Sequence, residues 1–97
     1  MAEVTITHED RGDSGRYVAE VAGAQDTGHL DWVASGRDVR LATHTLVPPS
    51  IGGRGVAAKL VEAMVADARE QGFRIDPRCS SVEVMFRRHK EWAELRA

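Results

Sequence analysis

The sequence predicts an α+β fold: a mixed, mainly antiparallel five-stranded sheet with two to three helices. Three observations predict it. Apolar and polar residues alternate with a period of two through the first half of the chain, as in half-buried strands. The period then lengthens to that of a helix after Gly55, and a strand–helix–strand passage runs from Val39 to Ile75. Such a crossover makes its two strands parallel, whereas the hairpins before it are antiparallel. The chain of 97 residues is expected to form a single domain over 1–97, since this length holds one core.

The first strand is marked by Val4, Ile6 and His8 alternating with Glu3, Thr5, Thr7 and Glu9. Gly12-Asp13-Ser14-Gly15 makes a turn. Arg16 to Ala22 then places Tyr17, Ala19 and Val21 on one face and Arg16, Val18 and Glu20 on the other. After a break from Gly23 to Gly28, Leu30, Trp32 and Ala34 resume the alternation, and Ser35-Gly36-Arg37-Asp38 closes a hairpin. A fourth strand from Val39 to Val47 stops at Pro48-Pro49, which cannot donate to a ladder. Val56, Ala57, Leu60, Val61, Met64, Val65 and Ala68 form one helical stripe opposite Lys59, Glu62, Ala66 and Arg69. Gly72 suits the left-handed cap that ends such a helix. Phe73-Arg74-Ile75 is a short fifth strand stopped by Asp76-Pro77. A second helix starts near Ser80, capped by Ser80 or Ser81, with Val82, Met85 and Phe86 inward. The tail from His89 to Ala97 adds a helical turn or two that packs Trp92 and Leu95.

Composition excludes several classes of function. A formal charge of −2 gives no general attraction to nucleic acid or to acidic membranes. No apolar run approaches the ~20 residues that span a bilayer. The N-terminal Met1-Ala2-Glu3-Val4-Thr5-Ile6 is too short and polar for a signal peptide. Cys79 is the one cysteine, so an intrachain disulfide is excluded and a cytoplasmic, reducing setting is expected. His8, His29, His44 and His89 have no metal-ligand spacing, and no metal is expected.

The chemistry concentrates at Ile51-Gly52-Gly53-Arg54-Gly55-Val56-Ala57, where a strand ends and a helix begins. Glycines allow positive φ and close approach of backbone to ligand. The first helical turn offers unbonded N–H groups at the positive end of the helix dipole, which suits a phosphate or pyrophosphate. Arg54 adds a charged fork. The alternative is a tight loop and nothing more. Neither the nucleotide-hydrolysing P-loop pattern nor the dinucleotide G-x-G-x-x-G pattern is present.

These residues resemble the GNAT N-acetyltransferase superfamily, which carries [Q/R]-x-x-G-x-[G/A] at this place. Gly53-Arg54-Gly55-Val56-Ala57 fits the last five positions, while Gly52 stands where the family has Gln or Arg. His44-Thr45 before the turn, then Pro77-x-Cys79-Ser80-x-Val82 and Arg88-His89 after it, resemble a short acetyl-CoA-binding GNAT-like subfamily. The resemblance spans most of 39–95. It implies a minimal acyl-CoA N-acyltransferase-like fold and acetyl-CoA as cofactor. Pyrophosphate would lie on the amides of Gly53, Arg54, Gly55, Val56 and Ala57, and pantetheine along Leu46 and Val47, where the last two strands splay. The thioester would point toward His44 and Cys79. Full members of the superfamily have helices after the first strand that help to bind the acceptor; here Gly12 to Gly15 is only a turn.

Acetyl transfer to an amine needs a base, an oxyanion donor and an acid for the leaving thiolate. His44 is the candidate base, since a histidine ordinarily titrates near ~6.5; a solvent-facing or core histidine is its plain alternative. Cys79, near a helix N-terminus that favours the thiolate, is open to two roles: acid toward the coenzyme, or nucleophile that carries the acetyl group. Its plain alternative is a small buried hydrophobe. Many members of the superfamily use a tyrosine as the acid, but Phe86 has no hydroxyl and Tyr17 lies in the second strand. Arg88 belongs to a basic helix end and is a secondary candidate for the coenzyme 3′-phosphate. Two readings follow: an N-acetyltransferase acting on an unidentified amine or protein acceptor, or an acetyl-CoA-binding module with little or no turnover.

Overall fold

The computed structural model describes residues 3–53 and 55–97. Strands β1 (Val4–Asp10), β2 (Ser14–Val21), β3 (Thr27–Ala34) and β4 (Val39–Leu46) precede helix α1 (Val56–Gln71), strand β5 (Arg74–Pro77) and helix α2 (Ser80–Arg88). Short 3-10 segments occupy Pro49–Ile51 and Lys90–Leu95. The strands pair in the order β1-β2-β3-β4-β5. The first three pairings are antiparallel and β4 pairs β5 in parallel, Val39 opposite Arg74 through Ala42 opposite Pro77. This is the mixed, mainly antiparallel five-stranded α+β sheet that the change of period predicts.

Alternation decides which sheet face is buried. Tyr17, Ala19, Val21, Leu30 and Trp32 are buried beneath α1, whose Val56, Leu60, Val61, Met64, Val65 and Ala68 meet them. Each large apolar side chain so covered contributes about 1.5–3 kcal/mol. α2 adds Val82 and Phe86, and the Lys90–Leu95 segment adds Trp92 and Leu95 to the same core. The tail is also tied down by polar bonds. Ala97 N–H donates to Ile75 O at 2.9 Å, and the Arg96 guanidinium meets both Glu83 oxygens at 2.7 Å. That contact holds the Glu83 carboxyl below its ordinary value.

The opposite sheet face carries Thr5, Thr7, Val18, His29, Asp31 and Val33, with no helix packed over it among the described residues.

Several expected boundaries shift. β2 starts at Ser14 rather than Arg16, because Arg11 N–H bonds Ser14 O at 2.9 Å and tightens the turn. β4 ends at Leu46 rather than Val47. β5 includes Asp76 and Pro77, since a proline without an N–H is tolerated on an edge strand. The α2 cap is Cys79, extended at φ −102° and ψ 148°, rather than Ser80 or Ser81. Arg78 and Cys79 N–H both donate to Ala42 O, at 2.9 and 3.1 Å, so the chain leaves the sheet there and Ser80 already lies in the helix. Gly72 caps α1 at φ +82°, as its place after the apolar stripe predicts.

Candidate active site

β4 has one residue more than β3 across their shared ladder. Ala42 faces Trp32 and His44 faces Asp31, which leaves Thr43 without a partner. Such a bulge reverses the alternation beyond it. The Thr43 hydroxyl donates to Asp31 O at 3.3 Å and satisfies a carbonyl at the irregularity. Beyond the bulge, Thr45 stands opposite the buried Leu30 and turns inward. His44 and Leu46 turn to the open face, beside Asp31 and His29.

The β4–β5 ladder stops at Ala42 and Pro77, yet β4 continues to Leu46. The edge from Thr43 to Leu46 is therefore unpaired by β5, which ends at Pro77 instead of running on beside β4. This edge leads through Val47 and the Pro49–Ile51 turn into α1. Gly52 N–H is already committed to Pro49 O at 3.1 Å. Gly53 and Gly55 have φ +74° and +72°, and a Cβ built on either would meet nothing within 4 Å. Their conformation, rather than crowding, requires glycine, and the space above them is open. Arg54 lies outside the described residues.

Gly55 is the N-cap of α1, and Val56 and Ala57 follow in its first turn, where amides have no carbonyl of the helix to bond. That turn holds no acidic residue to compete for the helix N-terminus. Val56 is buried and fixes the helix start against Gly28, where a Cβ would lie 3.2 Å from Val56 Cγ1 and from Leu46 O. The small residue at 28 thus lets β3 and β4 approach the turn closely.

Cys79 is half-buried, and its Sγ shares a hydrogen bond with Thr45 Oγ1 at 3.3 Å. His44 is exposed, with its ring 5.7 Å from that of His29 and tilted by 47°. Neighbours on a strand point to opposite faces, so His44 and Thr45 divide the end of β4 between them. The structure brings Cys79 to Thr45 and His44 to His29. Among the described residues no hydrogen bond joins His44 to Cys79. Arg88 is exposed in the last turn of α2, about 12 Å along the helix from its start.

On the open face Arg16 clamps Asp31, Nε to Oδ1 at 2.6 Å and Nη2 to Oδ2 at 3.2 Å. This bond raises the Arg16 pKa. His29 Nε2 lies 3.8 Å from Asp31 Oδ2. Burial holds the His29 pKa below its ordinary value, and the Arg16 and His44 charges act the same way, whereas Asp31 opposes them. His29, Asp31 and Arg16 stand in no sequence motif that marks them as site residues. The cross-strand register carries the signal: Arg16 stands opposite Asp31 in a regular ladder, and the bulge in β4 brings His44 into the same row. Tyr17, the one tyrosine, donates its hydroxyl to Asp67 Oδ2 at 2.7 Å beneath α1 and is occupied there.

A family model described as GCN5-related N-acetyl-transferase matches residues 16–95. The chain belongs to this family. No curated protein matches it.

Proposed function

We propose that the chain is an acetyl-CoA-dependent N-acetyltransferase that transfers an acetyl group to an amine. The observation that carries the reading is the free β4 edge, Thr43–Leu46, which runs from the end of the β4–β5 ladder to a glycine-turned helix N-terminus without an acid. An extended pantetheine arm pairs with such an edge along Leu46 and Val47, and the pyrophosphate takes the amides of Gly53, Gly55, Val56 and Ala57. Gly52 contributes shape, since its amide is spent on Pro49. Arg54 is assigned to the pyrophosphate from its place in the sequence, and Arg88 to the 3′-phosphate on the same footing.

In the transfer, the amine nitrogen attacks the thioester carbonyl, and the coenzyme sulfur leaves as the amide forms. His44 takes the ammonium proton before attack. Cys79, hydrogen-bonded to Thr45, gives its proton to the departing thiolate. A reducing, cytosolic setting belongs to this reading, because Cys79 acts only as a free thiol.

Ala57→Asp tests the cradle. An acid in the first turn favours the helix but repels a pyrophosphate. Calorimetry is expected to show acetyl-CoA binding to the wild type and at least about tenfold weaker binding to Ala57→Asp. Equal binding by both proteins, or none by the wild type, overturns the reading.

The separation of His44 from Cys79 favours a second reading, a coenzyme-binding module with little turnover. Coenzyme release that ignores added amines, His44→Ala and Cys79→Ala selects it. An acetyl adduct seen by mass spectrometry and lost in Cys79→Ser selects the covalent route instead.

A further inference from the structure

We propose that His29 and Asp31 are positioning residues for His44, so that the acceptor proton is handled by a coupled histidine pair over one clamped carboxylate. The inference rests on the acetyltransferase reading and adds to it two residues that the glycine turn and its flanking motifs do not include.

The argument begins with register. Residues directly opposite on antiparallel strands hold their Cβ atoms about 4.5–5.5 Å apart. The row Glu9, Arg16, Asp31, His44 runs across β1 to β4 in this way, on the open face. The next row is Thr7, Val18, His29, Leu46. His29 and His44 are thus diagonal neighbours, and Asp31 is adjacent to both. Arg16 holds both carboxylate oxygens of Asp31, which fixes the carboxylate's orientation. Val18 and Leu46 flank His29 and leave its side chain only 16% exposed.

Three charged or titratable groups face His29: Arg16 from β2, Asp31 from β3 and His44 from β4. α1 packs on the other face and supplies none. When His44 accepts the ammonium proton, its imidazolium gains the Asp31 carboxylate across the ladder. A charged His29 would oppose that step, and its burial works against that charge by lowering its pKa. The bound proton then leaves to solvent from the exposed His44 ring. Nothing is oxidised, and one N–H bond breaks on the amine as one forms on the imidazole.

The test combines two readouts. In the free protein, the imidazole resonances of His29 are followed by NMR as pH is varied. His44→Gln is expected to raise the His29 midpoint, and Asp31→Asn to lower it. In the transfer assay, His29→Gln is expected to shift the acid limb of the kcat/KM profile while leaving the KM for acetyl-CoA within about twofold. His29 midpoints that ignore both substitutions overturn the pair. An acid limb unmoved in His29→Gln overturns its role in transfer even where the titrations are coupled. Calorimetry of the wild type with acetyl-CoA tests the underlying reading by itself, so failure of the coenzyme site is distinguished from failure of the pair.

Discussion

His8 shows how one side chain can be fixed from three sides. Trp32 Nε1–H donates to His8 Nε2 at 2.9 Å, and an indole is a donor only, so this ring nitrogen must lack a proton. The other nitrogen, Nδ1, lies 3.5 Å from Asp67 Oδ2, and the ring stacks on Tyr17 at 4.0 Å. Burial pushes the His8 pKa below its ordinary value, and Arg40 adds to this, against the pull of Asp67 and Asp10. A histidine depressed in this way binds fewer protons folded than unfolded. Its stability contribution is therefore full above about pH 6.5 and declines as the pH falls below that value. Denaturant midpoints are expected to fall between about pH 6.5 and 5. In His8→Gln, whose amide oxygen can still accept from Trp32, that slope is expected to flatten. An unchanged slope would show that other groups set it.

Gly15 is a second residue whose identity is decided by a neighbour. A Cβ there would lie 2.5 Å from three atoms of the Trp32 indole. Gly15→Ala is expected to cost about 1–3 kcal/mol in urea unfolding at an unchanged m-value, because the ring must move within a packed core. Arg40, from β4, also lies over that indole, with its guanidinium 4.0 Å from the Trp32 ring and 4.1 Å from the Phe73 ring.

At the scale of elements, the N-terminus and the flank of α1 differ in what they do. Its first turn carries no acidic residue and no side-chain cap, while its flank forms the core. Leu60→Ala, at a fully buried position, is expected to lose about 2–5 kcal/mol and to alter coenzyme affinity little. Ala57→Asp should do the reverse. Stability and affinity measured on the same pair of variants check whether the N-terminus and the flank act independently. The Lys90–Leu95 segment is the counterpart at the far side of α2. Trp92 packs edge-on against Phe86 at 5.5 Å, and Trp92→Ala is expected to cost about 3–5 kcal/mol.

For the whole molecule, a single cluster of buried side chains runs from Tyr17 to Leu95. Trp32 lies in its sheet layer and Trp92 in its C-terminal segment, and they are the two tryptophans of the chain. Their fluorescence, followed separately in Trp32→Phe and Trp92→Phe, is expected to report one sharp transition each, with all of the signal lost in a single step. A second step in either variant would divide the chain into independent units. The helices cover one face of the sheet, and among the described residues none covers the other, on which both proposed acceptor-side histidines lie.

The sequence by itself determined the antiparallel hairpins, the parallel β4–β5 pair, the α1 stripe and the place of the glycine turn, while the strand order came from the tertiary structure. The former follow from local periodicity and from residue types with narrow backbone preferences. The positions of His44 and Cys79 along the chain were legible in the same way, but their directions were not. Strict alternation places His44 on the same face as Ala42, inward, and Thr45 outward. The unpartnered Thr43 reverses both, which sends His44 to the open face beside His29 and gives Thr45 to Cys79. A bulge is a property of two strands paired together, fixed by how β4 meets β3 under one core, and no single stretch of sequence carries it.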